Sequence, residues 1–319
     1  MGLLNTLLGA HHQGDAPEFT HAIAWAVDRV DPVLKQMGGY PERYRKPVAH
    51  ALEYAHALAA RIPGPVSVTP ESHSADPIVH TMFPLREDLH VAMDNSRAMQ
   101  EFFQTYPDAH EVYALICMRR KTKAMLGMEL EGEILRRDVP QEAVYFTDYT
   151  VAEPGLTESE TRQRIAQGFF ESLVIHVRNR VEARKLDKLA LARERDELLA
   201  RLHGLPAPRR AGIEQELQAV LDRLTECVAD LELARYPKDF DAILLEPEKY
   251  LFIEQAGMNL DSMGIVRRPD TSGSNEFVFY DLIGRDRRRW TVALMYCNQI
   301  KNRASIEVRF ENAQRWLGL

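Results

Sequence analysis

The sequence predicts an α+β fold: a helical N-terminal section, and an antiparallel β meander or small barrel interrupted by a long antiparallel coiled-coil helical hairpin. Three observations carry that expectation. Apolar residues recur every three or four positions through the first hundred residues, the signature of amphipathic helices. Two separate blocks, around 112–151 and 275–310, instead alternate or run apolar over strand lengths. Between them, about 45 residues without a strong helix breaker lead into Gly204-Leu205-Pro206-Ala207-Pro208 and then a heptad run.

In chain order, Phe19, Ile23, Val27, Val30 and Leu34 mark a helix over 17–37 that Gly38 and Gly39 stop and Pro32 splits or kinks. A second helix runs over 41–61, ended by Pro63-Gly64-Pro65. Residues 62–84 hold Pro63, Pro65, Pro70, Pro77 and Pro84 and show no helical period, so an extended connection is expected there. A third helix over 85–105 closes the section.

The first β block reads as three short strands: VYALICM (112–118), LGMELEGEIL (126–135) and AVYFTDYTV (143–151). In the middle one, Leu126, Met128, Leu130 and Ile134 share one face and Glu129, Glu131 and Glu133 the other. The second block reads as a hairpin of NEFVFYDLI (275–283) and WTVALMYC (290–297), with RASIEVRF (303–310) as a last strand before Trp316. YLFIEQ near 250 and GIVRR near 264 are short strand candidates. Neither block has enough strands to stand alone, which argues for one sheet.

Thr157 and Glu160 have the spacing of a capping box and start the first arm of the hairpin, which reaches Leu202 at roughly 65 to 70 Å. GFFESLVIHV (168–177) is apolar nearly all round, so the base of the arm is expected to be buried, whereas EARKLDKLALARERDE (182–197) is polar all round and projects into solvent. In the return arm Ile213, Leu217, Val220, Leu224, Cys227, Leu231 and Ala234 step alternately by four and three, a seam of three heptads. Residues 177–201 carry eight basic and five acidic side chains, and 211–234 one basic and six acidic, so the arms complement each other. The expected organisation is a helical section 1–108 containing the Pro-rich connection 62–84, a β unit of 109–156 and 238–319, and an inserted hairpin 157–236.

Composition narrows the function classes. A net charge of -7 gives no general attraction to nucleic acid or anionic membrane. No run approaches the roughly 18 apolar residues of a membrane span, and the N-terminus lacks the basic start of a signal peptide, so a cytoplasmic location is expected. Gly2 and Thr6 satisfy a loose acylation pattern, but Leu3, Leu4, Leu7 and Leu8 read more simply as an apolar cap, too few to hold a membrane alone. Cys117, Cys227 and Cys297 lie far apart in apolar surroundings and form neither a disulfide framework nor a zinc pattern.

Motifs for chemistry are sparse. Two Glu-x-x-His pairs, Glu53 with His56 and Glu87 with His90, have the spacing used by di-iron bundles, for which iron or manganese would be the metal and Glu42 or Glu101 further ligands. With 28 Glu and 11 His in 319 positions, random placement supplies about one such pair, so two select nothing. Ser72, His73, Asp76 and His80 hold the ingredients of nucleophilic catalysis, but triads are assembled by folding rather than by neighbourhood. No nucleophile elbow, phosphate loop, dinucleotide fingerprint or HExxH motif occurs. Two basic clusters at expected hairpin turns, with Arg119, Arg120 and Lys121 in one and Arg287, Arg288 and Trp290 in the other, could contact phosphate and stack a base. The Glu129, Glu131, Glu133 strand is expected beside the first cluster, offsetting its charge.

The resulting expectation is a non-catalytic interaction or assembly protein, an adaptor or scaffold, with no cofactor predicted. The hairpin is its docking element and the partner another protein, itself included. Leu205, Arg209 and Arg210 are the expected contacts at the tip. A metal-dependent, di-iron-like enzyme and a nucleic-acid-binding protein are the alternatives.

Overall fold

The computed structural model describes residues 17–69, 72, 76–83, 91–131, 134–206, 209–261, 263–269, 274–285 and 287–298. The structure is α+β, and over these residues it separates into two compact units. One comprises Met1–Ala55 with Gln167–Tyr250, the other His56–Ala166 with Leu251–Leu319.

In the first unit, α1 (Pro17–Val30) gives way to a 3-10 turn (Pro32–Gln36), as Pro32 requires, with the Asp31 carboxylate accepting from the Val33 N–H. α2 (Glu42–Ala60) begins here. The base of α5 (Glu158–His203) buries Phe169, Phe170, Leu173, Val174, Val177 and Val181, the apolar segment expected to be covered. Trp25 of α1 lies 6.0 Å from Phe170 between ring centres. α6 (Ala211–Asp230) follows, then a 3-10 turn and α7 (Tyr236–Leu244), whose Phe240 meets the Tyr44 ring edge-on at 4.8 Å.

The second unit is a sheet with helices on it. After a two-residue strand β1 (Val66–Ser67) come α3 (Pro77–Met82) and α4 (Arg97–Thr105), then β2 (Glu111–Glu131), β3 (Ile134–Gly155), β4 (Leu251–Asp261), β5 (Ser274–Gly284) and β6 (Arg289–Asn298). The order is β3-β2-β6-β5-β4, with β1 parallel to β6 and β2, β3, β4, β5 and β6 antiparallel to their neighbours. Residues 264–267 close it. The Asp261 N–H donates to Ile265 O at 3.0 Å on the β4 side, while Val144 and Val266 exchange N–H bonds with Gly264 O and Glu142 O at 2.8 Å on the β3 side. The sheet therefore joins its first strand to its last as a small barrel.

Gly264 sits where this closure is tightest. Its φ is +73°, and a Cβ there would lie 2.8 Å from the Val144 carbonyl oxygen, so no side chain fits without a shift. Gly64 makes a similar close approach, its Cβ position lying 2.3 Å from Leu294 O. Val112, Ala114, Ile116 and Met118 of β2 alternate onto one face, with Phe277, Phe279, Ala293 and Met295 beside them. Met82, Phe83, Met99, Phe102 and Phe103 from the helical segments complete this core.

Four expectations are corrected. The three-strand meander is a two-strand hairpin, because 112–118 and 126–135 join into one 21-residue β2 whose partner is β3. RRKTK contains no Gly, Pro or Asn to turn the chain, so Arg119, Arg120 and Lys121 pair within the ladder against Thr147, Phe146 and Tyr145. The reversal falls between Glu131 and Ile134, which face each other, and Glu129 and Glu131 continue the same strand as RRKTK instead of lying beside it. β3 absorbs the length with three irregularities, each at a left-handed acidic residue: Asp138 (φ 57°), Asp148 (φ 56°) and Glu153 (φ 52°).

The connection 62–84 is not extended throughout, since Asp76 caps Ile78 N–H and Pro77 occupies the first turn of α3. The helix over 85–105 is broken at Asn95 and Ser96. Ser96 caps α4 through Met99 N–H and also donates to Val151 O at 2.7 Å, a tertiary bond that a continuous helix would forgo. YLFIEQ lies at the start of β4, and GIVRR is the closing segment of the barrel. The strand candidate 303–310 and Trp316, with Gly2, Leu3, Leu4, Thr6, Leu7 and Leu8, lie outside the described residues.

Candidate docking site

The hairpin is built from its start. The Thr157 hydroxyl accepts from Glu160 N–H at 3.2 Å, and the Glu160 carboxylate accepts from Leu156 N–H at 3.1 Å, a reciprocal cap that launches α5. α5 runs 46 residues, and the Leu205 and Pro206 region turns the chain into the 20-residue α6. The arms pair antiparallel. Leu191 and Leu198 of α5 are buried with Ile213 and Val220 of α6, and Leu217, Leu224 and Cys227 pack against them half-buried. Leu231 is the C-cap of α6, and Ala234 falls in the following 3-10 turn.

Register along the seam follows from polar contacts. The Cys227 thiol donates to Arg184 O at 3.4 Å, Arg223 lies 3.7 Å from Glu194, and Arg201 lies 3.8 Å from Glu216. These ion pairs are well exposed and each contributes at most about 0.2 to 1 kcal/mol; the complementary charge of the arms biases alignment more than it stabilises. A groove of about 420 Å³ lies on this flank, bordered by Asp187, Glu194, Arg223, Glu226 and Asp230.

At the tip, Leu205 packs onto the seam and its carbonyl accepts from Arg210 Nε at 2.8 Å. Arg209 is exposed, with its N–H donated to Pro206 O. Arg210 thus holds the turn.

The root carries what the sequence did not disclose. Asp239 of α7 is 2% exposed and accepts from Arg184 at both oxygens, 2.7 Å each, with Arg180 at 3.0 Å. That hydrogen-bonded partner pushes the Arg184 guanidinium further above its ordinary range. Lys185 reaches Asp31 at 3.6 Å and Glu182 at 3.0 Å, the latter bond raising its pKa. Only the apolar neighbours Phe240, Ile243 and Leu244 hinted that Asp239 would be drawn inside.

No family model matches this chain, and no curated protein or solved structure matches it. The residues themselves must carry the reading.

The remaining candidates are dispersed. Arg120 is largely buried, donates to Asp281 at 2.6 Å and lies 5.1 Å over the Phe279 ring; its Nη1 has no partner among the described residues. Asp281 is 2% exposed, also accepts from the Thr291 hydroxyl at 2.7 Å, and has Arg289 at 3.8 Å. Arg119 stacks on Trp290 at 5.0 Å and faces Asp148 at 3.7 Å, with Lys121 at 4.0 Å from the same carboxylate. Arg287 (φ 56°) and Arg288 are exposed in the β5–β6 connection. The basic residues are thus spread between strand and loop, with several charges engaged.

On α2, Glu53 is exposed and His56 half-buried, while Glu42 pairs with Arg45 and Glu101 with Arg97. Glu87 and His90 lie outside the described residues, as does His73. Among the described residues no group of three His, Cys, Asp or Glu is placed to hold a metal ion. The Ser72 hydroxyl donates to Ser67 O at 2.6 Å, and Asp76 is committed to its cap. Among the described residues no helix is long and apolar enough to cross a membrane.

Proposed function

We propose that this is a non-catalytic interaction or assembly protein that docks a partner protein on its helical hairpin. One observation carries the reading. Between residues 186 and 228, the buried side chains are Leu191, Leu198, Ile213 and Val220, and all four belong to the hairpin's own seam. An element of that length, about 30 Å along α6 alone, contributes no buried side chain beyond its own cluster. Its outer face carries Leu186 at 65% and Leu189 at 56% exposure, apolar area available to a partner. A rigid coiled-coil-like hairpin held at its root by Asp239 loses little freedom on binding, which favours affinity.

The test replaces residues 188–226 with a short Gly-Ser linker, keeping Arg180, Arg184 and Asp239. The shortened protein is expected to keep the melting of its body and to lose the proteins that the full chain captures from its native extract. An identical set of captured proteins removes the docking role.

A further inference from the structure

We infer that the occupant of the hairpin is a second copy of this chain, seated on the flank opposite the ion pairs; this rests on the docking role proposed above. At about 100° per residue, Glu194 and Arg201 on α5, with Glu216 and Arg223 on α6, fall to one side of the seam, where two ion pairs join them. Ala192 and Leu199 on α5, with Leu221 and Val228 on α6, fall to the other side. Leu199 and Leu221 are each 36% exposed and Val228 44%.

The ion pairs also set the levels of the two arms. Glu194 lies opposite Arg223 and Arg201 opposite Glu216, so Val228 stands level with Leu189 and Leu221 with Asp196. The four apolar residues then climb the flank in the order Val228, Ala192, Leu221, Leu199, alternating between arms over roughly 15 Å. One flank is polar and internally satisfied. The other is an apolar ladder of the kind that a second helix pair covers in a four-helix bundle.

Charge selects a copy of the same hairpin and its orientation. Beside the ladder, α5 presents Lys188 and Arg195, and α6 presents Glu214 and Asp222. Arm 177–201 has eight basic and five acidic residues, arm 211–234 one and six. A two-fold axis along the helices lays α5 of one copy on α6 of the other, positive on negative, with Arg195 level with Asp222 of the other copy. The perpendicular axis sets α5 on α5 and α6 on α6, like on like.

Sedimentation velocity of the full chain from about 1 to 100 µM tests this. The expected result is a monomer–dimer equilibrium whose dissociation constant rises at least tenfold in Leu221→Gln/Val228→Gln, with unchanged helical circular dichroism because both sites are exposed. Arg195→Asp and Asp222→Arg are each expected to weaken the dimer, and their combination to restore it. A chain monomeric throughout overturns the inference, as does a dimer indifferent to the ladder variants or not restored by the double charge reversal. If self-association is absent but the hairpin-dependent capture of other proteins persists, the second copy is overturned and the docking role stands. If both are absent, both fall.

Discussion

Arg184 donates to both carboxylate oxygens of Asp239, and the paired groups sit at the point where the hairpin leaves its unit. Removing one partner of such a pair leaves a charge with little water to replace it, which typically costs about 3 to 5 kcal/mol. Arg184→Met is expected at the lower end, since Arg180 remains within 3.0 Å of Asp239. Asp239→Ala is expected to cost as much, because two guanidinium groups then face each other without a counter-charge. Urea unfolding of each variant measures this. Arg184→Met combined with Asp239→Leu is expected to recover most of the loss, which separates the pair's net worth from the penalty of breaking it.

The closure of the barrel predicts a position-specific cost at Gly264. Any L side chain there must hold φ near +73° and displace the Val144 carbonyl, whose N–H partner position fixes β3. Gly264→Ala is expected to destabilise by roughly 1 to 3 kcal/mol from backbone strain alone, and more if the Gly264–Val144 bond opens. Hydrogen exchange at the Val144 and Val266 amides is the direct measure. Protection lost at both, with Ala293 and Met295 still protected, identifies local opening of the seam between β3 and β4. Gly257, whose Cβ position has only Glu276 at 4.0 Å, is the control.

The parts of this structure visible in the sequence are those set by local periodicity. The four-three stepping from Ile213 to Cys227 survives as the packed face of α6 because one helix face has one partner. Asp76-Pro77 and Ser96 carried cap signals inside segments taken as one state, and each cap marks where the chain changes state. RRKTK was misread because exposed charged residues resemble a loop in composition, while a ladder asks only for extended backbone, which Arg, Lys and Thr adopt. The root pair was hidden for a different reason. Arg184 and Asp239 are 55 residues apart, and a pair made by tertiary folding leaves no spacing to read. Gly264 likewise looked like any turn glycine until Val144 stood against it.

The seam predicts unequal effects of neighbouring substitutions. Leu198 is 5% exposed and Leu199 36%. Leu198→Ala deletes buried methyl groups and is expected to cost about 2 to 3 kcal/mol, toward the low end of core truncations because a two-helix seam collapses readily. Leu199→Ala is expected to cost under about 0.5 kcal/mol in the isolated chain, as surface changes do. Amide exchange across 213–227 is the appropriate readout, since the hairpin can open without unfolding the rest. Equal effects at the two sites would contradict the observed burial.

His56 gives the pH dependence. Burial without a compensating charge lowers its pKa below the ordinary 6.5, because the imidazolium loses hydration that the neutral ring needs less. The unfolded chain therefore binds a proton at a pH where the folded chain does not. Stability rises with pH wherever the unfolded state holds more protons. The contribution is fully present above about pH 6.5 and is lost as pH falls from there through the lower folded pKa. His56→Gln abolishes this share, so the variant's melting temperature is expected to fall less steeply than wild type's between pH 6.5 and 5. The carboxylates common to both proteins cancel in the comparison. Parallel melting curves across that window would show that the ring is protonated as easily in the fold as in water.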